Sequence, residues 1–253
     1  MSYTALSFTL LFVLGTMLVS VWQKLGLEKD IIVGTVRSAI QLLAVGYVLQ
    51  FIFKSDQVIY VIVIILFMIS VAAWNAAKRG KGLRGLVWRI GLAIATMELL
   101  MMGILLSLHI IEATPQYIIP ISGMTIGSAM VVSGLFINHI KHEIQQSKGE
   151  IETLLSLGAT VPQAVQEVRK RSVKFSMIPT IDGMKTVGLV QLPGMMTGMI
   201  ISGADPVVAV RYQILIVFSF TASAAITSML LSVLSYRLFF TPDLRLKQIV
   251  EQG

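Results

Sequence analysis

Apolar residues run along this chain in seven long stretches, 3–22, 31–53, 58–77, 86–111, 118–138, 184–203 and 207–238, with polar and charged residues gathered between them. A helix needs about 20 consecutive apolar residues to cross the hydrocarbon layer of a bilayer. In lipid every backbone N–H and C=O requires an internal partner, so a spanning segment is a helix or part of a closed barrel. The runs are continuous rather than alternating, which selects helices. The pattern predicts an all-α integral membrane protein of about seven transmembrane helices. The first run lacks the positive start and small-residue cleavage pattern of a secretory signal and reads as a retained span. With no compositional break and no internal repeat, residues 1–253 read as one polytopic membrane domain.

The longest polar stretch, 139–181, precedes the last two spans and is expected to be a cytoplasmic helical segment. It reads as a helix over 141–157, a break at Gly158-Ala159-Thr160, and a second helix over 161–175. Thr160 followed by Pro162 marks the second start, because a hydroxyl caps free N–H groups and proline suits the first turn.

Composition narrows the classes further. Hydrophobic residues make up 55% of the chain and charged residues 13%, against about 25% charged in soluble domains, which excludes a soluble globular protein. The net charge of +7 sits in the stretches 24–30, 78–84, 139–181 and the tail after 236, while the opposite loops hold only Lys54 and Arg211. That distribution is a topology signal rather than a nucleic-acid patch, and it places the amino terminus outside a plasma membrane and the carboxyl terminus in the cytoplasm. Trp22, Trp74 and Trp88 fall at the cytoplasmic ends of their spans, as an interfacial belt requires. There is no cysteine, hence no disulfide and no thiolate ligand.

Few residues inside the spans carry chemistry. Glu98 lies in the middle of the fourth span, where an ionised carboxylate costs about 2.5 to 3.5 kcal/mol on insertion scales. It reads either as a pathway group or as half of a structural pair, with Arg37 and Gln41 on the second span as candidate partners. Met97, Met101 and Met102 surround it, and Met195, Met196 and Met199 lie in the sixth span. Thioethers suit soft ions, but methionine is also adaptable apolar filler. Glu98, Met195 and Met196 are the candidate metal ligands. The sixth span contains Gln191-Leu192-Pro193-Gly194, where proline deletes a backbone donor and predicts a kink or break lining a pathway or a packing joint. Gly123 with Gly127, and Gly194 with Gly198, are small-xxx-small pairs that favour close helix packing. His109 reads as interfacial, and His139 and His142, with Glu143 beside them, read as a solvated helix face.

No nucleophile triad and no zinc spacing is present, so the chain is not expected to be an enzyme. Gly183-Met184-Lys185-Thr186 lacks the glycine that a phosphate-binding loop places before its lysine. ATP-Mg, if used, belongs to a partner, and no cofactor is expected on this chain.

Glu152, six residues before Gly158, resembles the E-A-A-x-x-x-G loop of ATP-binding-cassette permeases, although Thr153 and Leu154 replace the alanines and Ile178-Pro179 lies at a different distance. Nearly the whole chain is similar to the Fet-type iron-export permease family, which takes in the plant aluminium-tolerance permeases. The resemblance is carried by Arg37-Ser38-Ala39-Ile40-Gln41-Leu42, Ala73-Trp74-Asn75-Ala76, Ile119-Pro120-Ile121-Ser122-Gly123-Met124, Leu155-Ser156-Leu157-Gly158-Ala159-Thr160, Lys185-Thr186-Val187-Gly188-Leu189-Val190-Gln191-Leu192-Pro193-Gly194-Met195-Met196, and the segment from Gly203-Ala204-Asp205-Pro206 to Tyr212-Gln213-Ile214.

The resemblance implies an ABC transporter permease subunit that exports iron or a related metal, paired with a separate ATPase and acting as a homodimer in the lipid membrane. In that reading Glu152, Leu155, Leu157, Gly158, Ala159, Thr160, Arg169 and Arg171 couple to the ATPase. Arg37, Gln41, Glu98, Gln191, Pro193, Gly194, Met195, Met196 and Met199 line the pathway. The alternatives are a proton-coupled secondary carrier using Glu98, a permease for a non-metal substrate such as a nucleotide sugar, and a membrane scaffold without transport.

Overall fold

The computed structural model describes residues 8–55, 57–80, 82–190, 192–241, 243 and 245–247. Its elements are α1 (Leu10–Trp22), α2 (Glu28–Ser55), α3 (Val58–Ala77), α4 (Leu86–Ser107), α5 (Pro115–Gln146), α6 (Lys148–Ser156), α7 (Val161–Ala164), α8 (Gln166–Thr186), α9 (Gly194–Ile201) and α10 (Pro206–Ser235). Single 3-10 turns follow α3 at Lys78–Gly80 and α10 at Tyr236–Phe239. The described residues form no sheet; Phe240 and Leu246 make one isolated bridge. Five helices, α2, α3, α4, α5 and α10, are long and apolar enough to cross a membrane. The protein is a multi-pass, all-helical membrane protein.

The chain divides into two compact units, Met1–Gln57 and Val58–Gly253. In the first, α1 and α2 form a helical hairpin. Its turn places Lys24 and Gly26 in the left-handed region, at φ 53° and 70°. The buried Ser20 hydroxyl donates to Glu28 at 2.8 Å and accepts the Leu27 N–H, tying the two helices at the turn.

The second unit is a bundle in which α3, α5 and α10 run one way and α4 and α8 the other. Direction follows from paired residues. Asn75 meets Met130 and Tyr117 meets Tyr212, so α3, α5 and α10 are parallel. Arg89 donates to the Leu234 carbonyl, and Arg169 to Ser232, so α4 and α8 are antiparallel to α10. The core is built from Ile90, Ile94, Met97, Ala129, Phe136, Ile137, Ile140 and Leu231, all essentially inaccessible.

Local chemistry sets the helix ends. Pro115 and Pro206 open α5 and α10 in the first turn, where no N–H is needed. Asp205 Oδ1 accepts from the N–H groups of Val207 and Val208 at 2.8 and 3.1 Å. Gln163 Oε1 accepts from the Thr160 N–H at 2.8 Å, which fixes the start of α7 as the sequence indicates.

Several expected boundaries shift. The fourth span ends at Ser107 rather than 111, and the fifth helix runs to Gln146 rather than 138. The stretch 184–203 is not one helix: α8 ends at Thr186, and α9 begins at Gly194 and is only eight residues long. Meanwhile the helix expected at 161–175 begins at Gln166 and extends to Thr186, packed against α5 and α10. Its charges hid that role, because the face that packs is a narrow stripe of Val168, Ser172 and Ser176.

Small side chains make the bundle tight. A Cβ on Gly80 would lie 2.1 Å from Leu86 Cδ2 and 3.0 Å from Ile137 Cγ2, and both neighbours are buried. Gly80→Val is therefore expected to destabilise the protein by about 1–3 kcal/mol, read as a lowered midpoint in thermal unfolding of the detergent-solubilised chain.

Candidate functional site

Three groups of polar or irregular residues in the second unit stand out from the apolar bundle. The first surrounds Glu98. Its residue is 3% exposed, and its Oε2 accepts a hydrogen bond from Thr125 Oγ1 at 2.7 Å. Thr125 also lies within 3.1 Å of the Ile121 and Ser122 carbonyls of its own turn. Oε1 of Glu98 and the neighbouring Ser122 hydroxyl are buried without a partner in hydrogen-bonding geometry. Met97, Met101 and Met102 are buried core side chains around this carboxylate and fill space. The partner that the structure gives Glu98 within its own unit is Thr125 of α5; Arg37 and Gln41 belong to α2 of the amino-terminal unit.

The second group is the broken helix. Two cavities of about 310 Å³ each open beside the interruption between α8 and α9. Pro193 lines both; Gly194 and Met195 line one, and Met196 the other. Met199 lines neither, and Gln191 lies outside the described residues. The end of α8, from Gly183 to Val187, forms one wall, and Gln213, Val217 and Phe220 of α10 form another. Gln213 is shared by both cavities, is 8% exposed, and its Oε1 has no partner. Glu98 lines neither cavity, so the three candidate metal ligands, Glu98, Met195 and Met196, are not brought to one place. Among the described residues no cluster of three His, Asp or Glu side chains could hold a metal.

The third group is the elbow between α6 and α7. Ile151 on α6 and Val161, Ala164 and Val165 around α7 are buried in the core, which anchors the elbow to the bundle. At its tip Leu157 is 79% exposed and Gly158 has φ +90°, a conformation that side chains rarely adopt. Leu155 packs partly against the core, Ala159 is half-buried, and Thr160 starts α7. Glu152 is exposed and 3.8 Å from Lys148.

Arg169 and Arg171 do not project from the elbow. Arg169 donates to Ser232 and stacks over the Tyr236 ring, and Arg171 pairs with Glu143 at 2.6 Å. These arginines fasten α8 to α10 and α5. His139 stacks on Phe175 at 4.0 Å between ring centres, and His142 meets Gln146, so the two histidines do not converge. Lys170, 2.7 Å from the exposed Glu167, holds that carboxyl below the usual range. Of the glycine pairs, only Gly123 meets another helix, with Met68 of α3 at 3.3 Å from its would-be Cβ.

Sequence reasoning passed over Gln213, Thr125 and the Ser/Thr seam of α10. Each had a signal: a lone amide inside an apolar run, and hydroxyl residues repeating every fourth position at Ser219, Ser223 and Thr227.

The comparisons with known proteins extend these observations. A model described as "Uncharacterised protein family (UPF0014)" matches residues 3–240. The chain is 51% identical to the UPF0014 membrane protein YjkA of Bacillus subtilis, covering 98% of this chain and 99% of that protein. It is 39% identical to the "Probable iron export permease protein FetB" of Escherichia coli, covering 93% and 91%, respectively. With "Protein ALUMINUM SENSITIVE 3" of Arabidopsis thaliana it shares 37% identity over 94% of this chain and 87% of that protein. No solved structure matches.

The Glu98 environment makes a direct prediction. Removing the Thr125 hydroxyl that donates to the buried Oε2 leaves that oxygen without its donor, so Thr125→Val is expected to destabilise by about 1–3 kcal/mol. In a Glu98→Met background the cost is expected to be much smaller. Denaturant unfolding of the four proteins in a double-mutant cycle measures the difference, and equal costs in both backgrounds would show no coupling.

Proposed function

The chain belongs to the UPF0014 family of membrane proteins, and on that premise we propose that it is the permease subunit of an ATP-driven exporter with a metal ion, iron foremost, as cargo. The iron assignment draws on the name given to the Escherichia coli relative. The motor is a separate ATPase subunit that uses ATP-Mg, and the chain itself carries no hydrolytic site. Two copies of the permease pair with two ATPases around a shared pathway. The broken α8–α9 pair serves as one crossing, which with α1 brings the count to seven and puts the termini on opposite sides; the basic loops make the carboxyl terminus the cytoplasmic one and the amino terminus the outer one.

The observation that carries this reading is the continuity of α8. One end of that helix follows directly from the elbow at Leu157 and Gly158, and the other ends at the cavities beside Pro193. The cationic side chains of Arg169 and Arg171 hold it to its neighbours along the way. An exposed apolar tip on an anchored elbow suits insertion into a cleft of the ATPase. A push delivered there reaches the broken segment along a helix rather than through a loop. A partner shifts such an equilibrium only through different affinity for its two states, so the ATPase must grip the elbow differently in its closed form.

A second reading is favoured by one observation, the unpartnered buried Oε1 of Glu98. A carrier driven by protons would use that oxygen to bind and release its coupling ion. Transport that persists without any ATPase and collapses in Glu98→Gln would select this reading.

The elbow gives the direct test. Leu157→Asp puts a charge on the docking tip, and Gly158→Val forces a side chain into the left-handed region. Each is expected to lower ATP-dependent iron transport in liposomes at least tenfold while membrane insertion and expression stay unchanged. Wild-type transport in both variants, or failure of any ATPase to co-purify with the wild-type chain, would overturn the assignment.

A further inference from the structure

The cavities beside the broken helix carry no charge. Among the described residues lining them there is no carboxylate and no cationic side chain; the walls are Met, Val, Ile, Phe, Pro and Gly with few polar atoms. A bare divalent ion moved from water into such a lining loses its hydration without gaining a counter-charge. The four methionines there, Met124, Met184, Met195 and Met196, are neutral and poor ligands for a hard ion.

The polar groups that do face this region point to a different cargo. Pro193 caps α9 without a side-chain hydrogen bond, so among the described residues the first-turn N–H groups of Gly194, Met195 and Met196 have neither an intrahelical partner nor a side-chain cap. The same end carries the positive pole of the helix dipole, which attracts electron-rich groups. Independently, the Gln213 amide is more than nine-tenths buried, lines both cavities, and has an oxygen with no partner. Buried polar atoms are satisfied in nearly all folded proteins, so an orphan on a side chain that lines a cavity marks a place where a bound group, met by a turn of that side chain, supplies the missing donor.

Resting on the metal-permease reading above, we propose that these cavities receive the metal as a complex that brings its own oxyanion ligand, a carboxylate or phosphate chelate, and not as a bare cation. The first turn of α9 faces the anionic oxygens. Gln213 meets a hydroxyl or water of the complex through its free oxygen. The apolar walls then cover the rest of a nearly neutral body without a desolvated charge.

The test uses the full-length chain in lipid nanodiscs and equilibrium binding of radioactive iron in two forms, ferric citrate and ferrous ion kept reduced with ascorbate. The expected result is binding of ferric citrate and no measurable binding of the bare ferrous ion. Gln213→Met, which keeps the volume and removes the amide, is expected to weaken ferric citrate at least tenfold. Gln213→Glu is expected to abolish it and to bring in ferrous ion, because a carboxylate repels the chelate and neutralises a cation.

Tighter binding of ferrous ion than of ferric citrate by the wild type overturns the proposal. So does binding of neither form, or ferric citrate binding unchanged in both variants. Citrate alone binding as tightly as its iron complex also overturns it, as the site would then hold the anion without the metal. Co-purification of the ATPase is read on the same samples. A binding failure with the ATPase still attached sinks the cavity proposal alone, whereas loss of the ATPase from wild type sinks the permease reading.

Discussion

The bundle depends on hydroxyl side chains that satisfy themselves. Ser172 and Ser176 on α8, and Ser223, Ser228 and Ser235 on α10, are buried, yet each donates to a carbonyl three or four residues back in its own helix. Each therefore behaves as a small side chain with no outstanding polar need. In lipid, where no hydrophobic force drives helices together, close approach of small residues is a main source of packing energy. That is how α8, with Arg169, Lys170, Arg171 and Lys174 on its surface, still lies against α5 and α10. Its charges stay on the outer side or are engaged by Glu143, Glu167, Ser147 and Ser232.

Seating α8 in the bundle has a mechanical consequence. Ser232, Glu143 and the His139–Phe175 stack hold the first half of α8, from Arg169 to Phe175. Compliance is left to the left-handed Gly158 turn and to the stretch beyond Phe175, where Pro179 removes a backbone bond inside α8 and the helix ends at Thr186 ahead of α9. The cavities open at the second of these, where proline and glycine interrupt the backbone ladder. Irregular backbone at membrane depth is tolerated where it is buried in protein or lines a cavity, and here it does both.

Glu98 and Gln213 represent two ways of keeping polarity inside a membrane bundle. Glu98 is embedded between α4 and α5, with Thr125 answering one oxygen. Gln213 stands at an open wall. The carboxylate is the more conspicuous residue in the sequence, but the amide is the one the fold places at the cavities, with its oxygen buried and unpartnered.

The sequence by itself determined the solvent and the class of element. Continuous apolar runs force helices in lipid, because each backbone group must be answered within its own segment. It also determined local punctuation that needs no tertiary partner: the helix start at Thr160, the break at Gly158, and an interruption near Pro193. What only the tertiary structure decided was which polar positions face inward. Residues 139–181 read as a separate polar segment because hydropathy averages a helix over all its faces, and the stripe of Val168, Ser172 and Ser176 vanishes in that average. For the same reason the contacts of Arg169 with Ser232 and of Arg171 with Glu143 are invisible in the sequence, and Glu98 could not be assigned to Thr125. Partner choice between helices depends on rotation about each axis and on which neighbours pack, and neither quantity is written in a linear pattern.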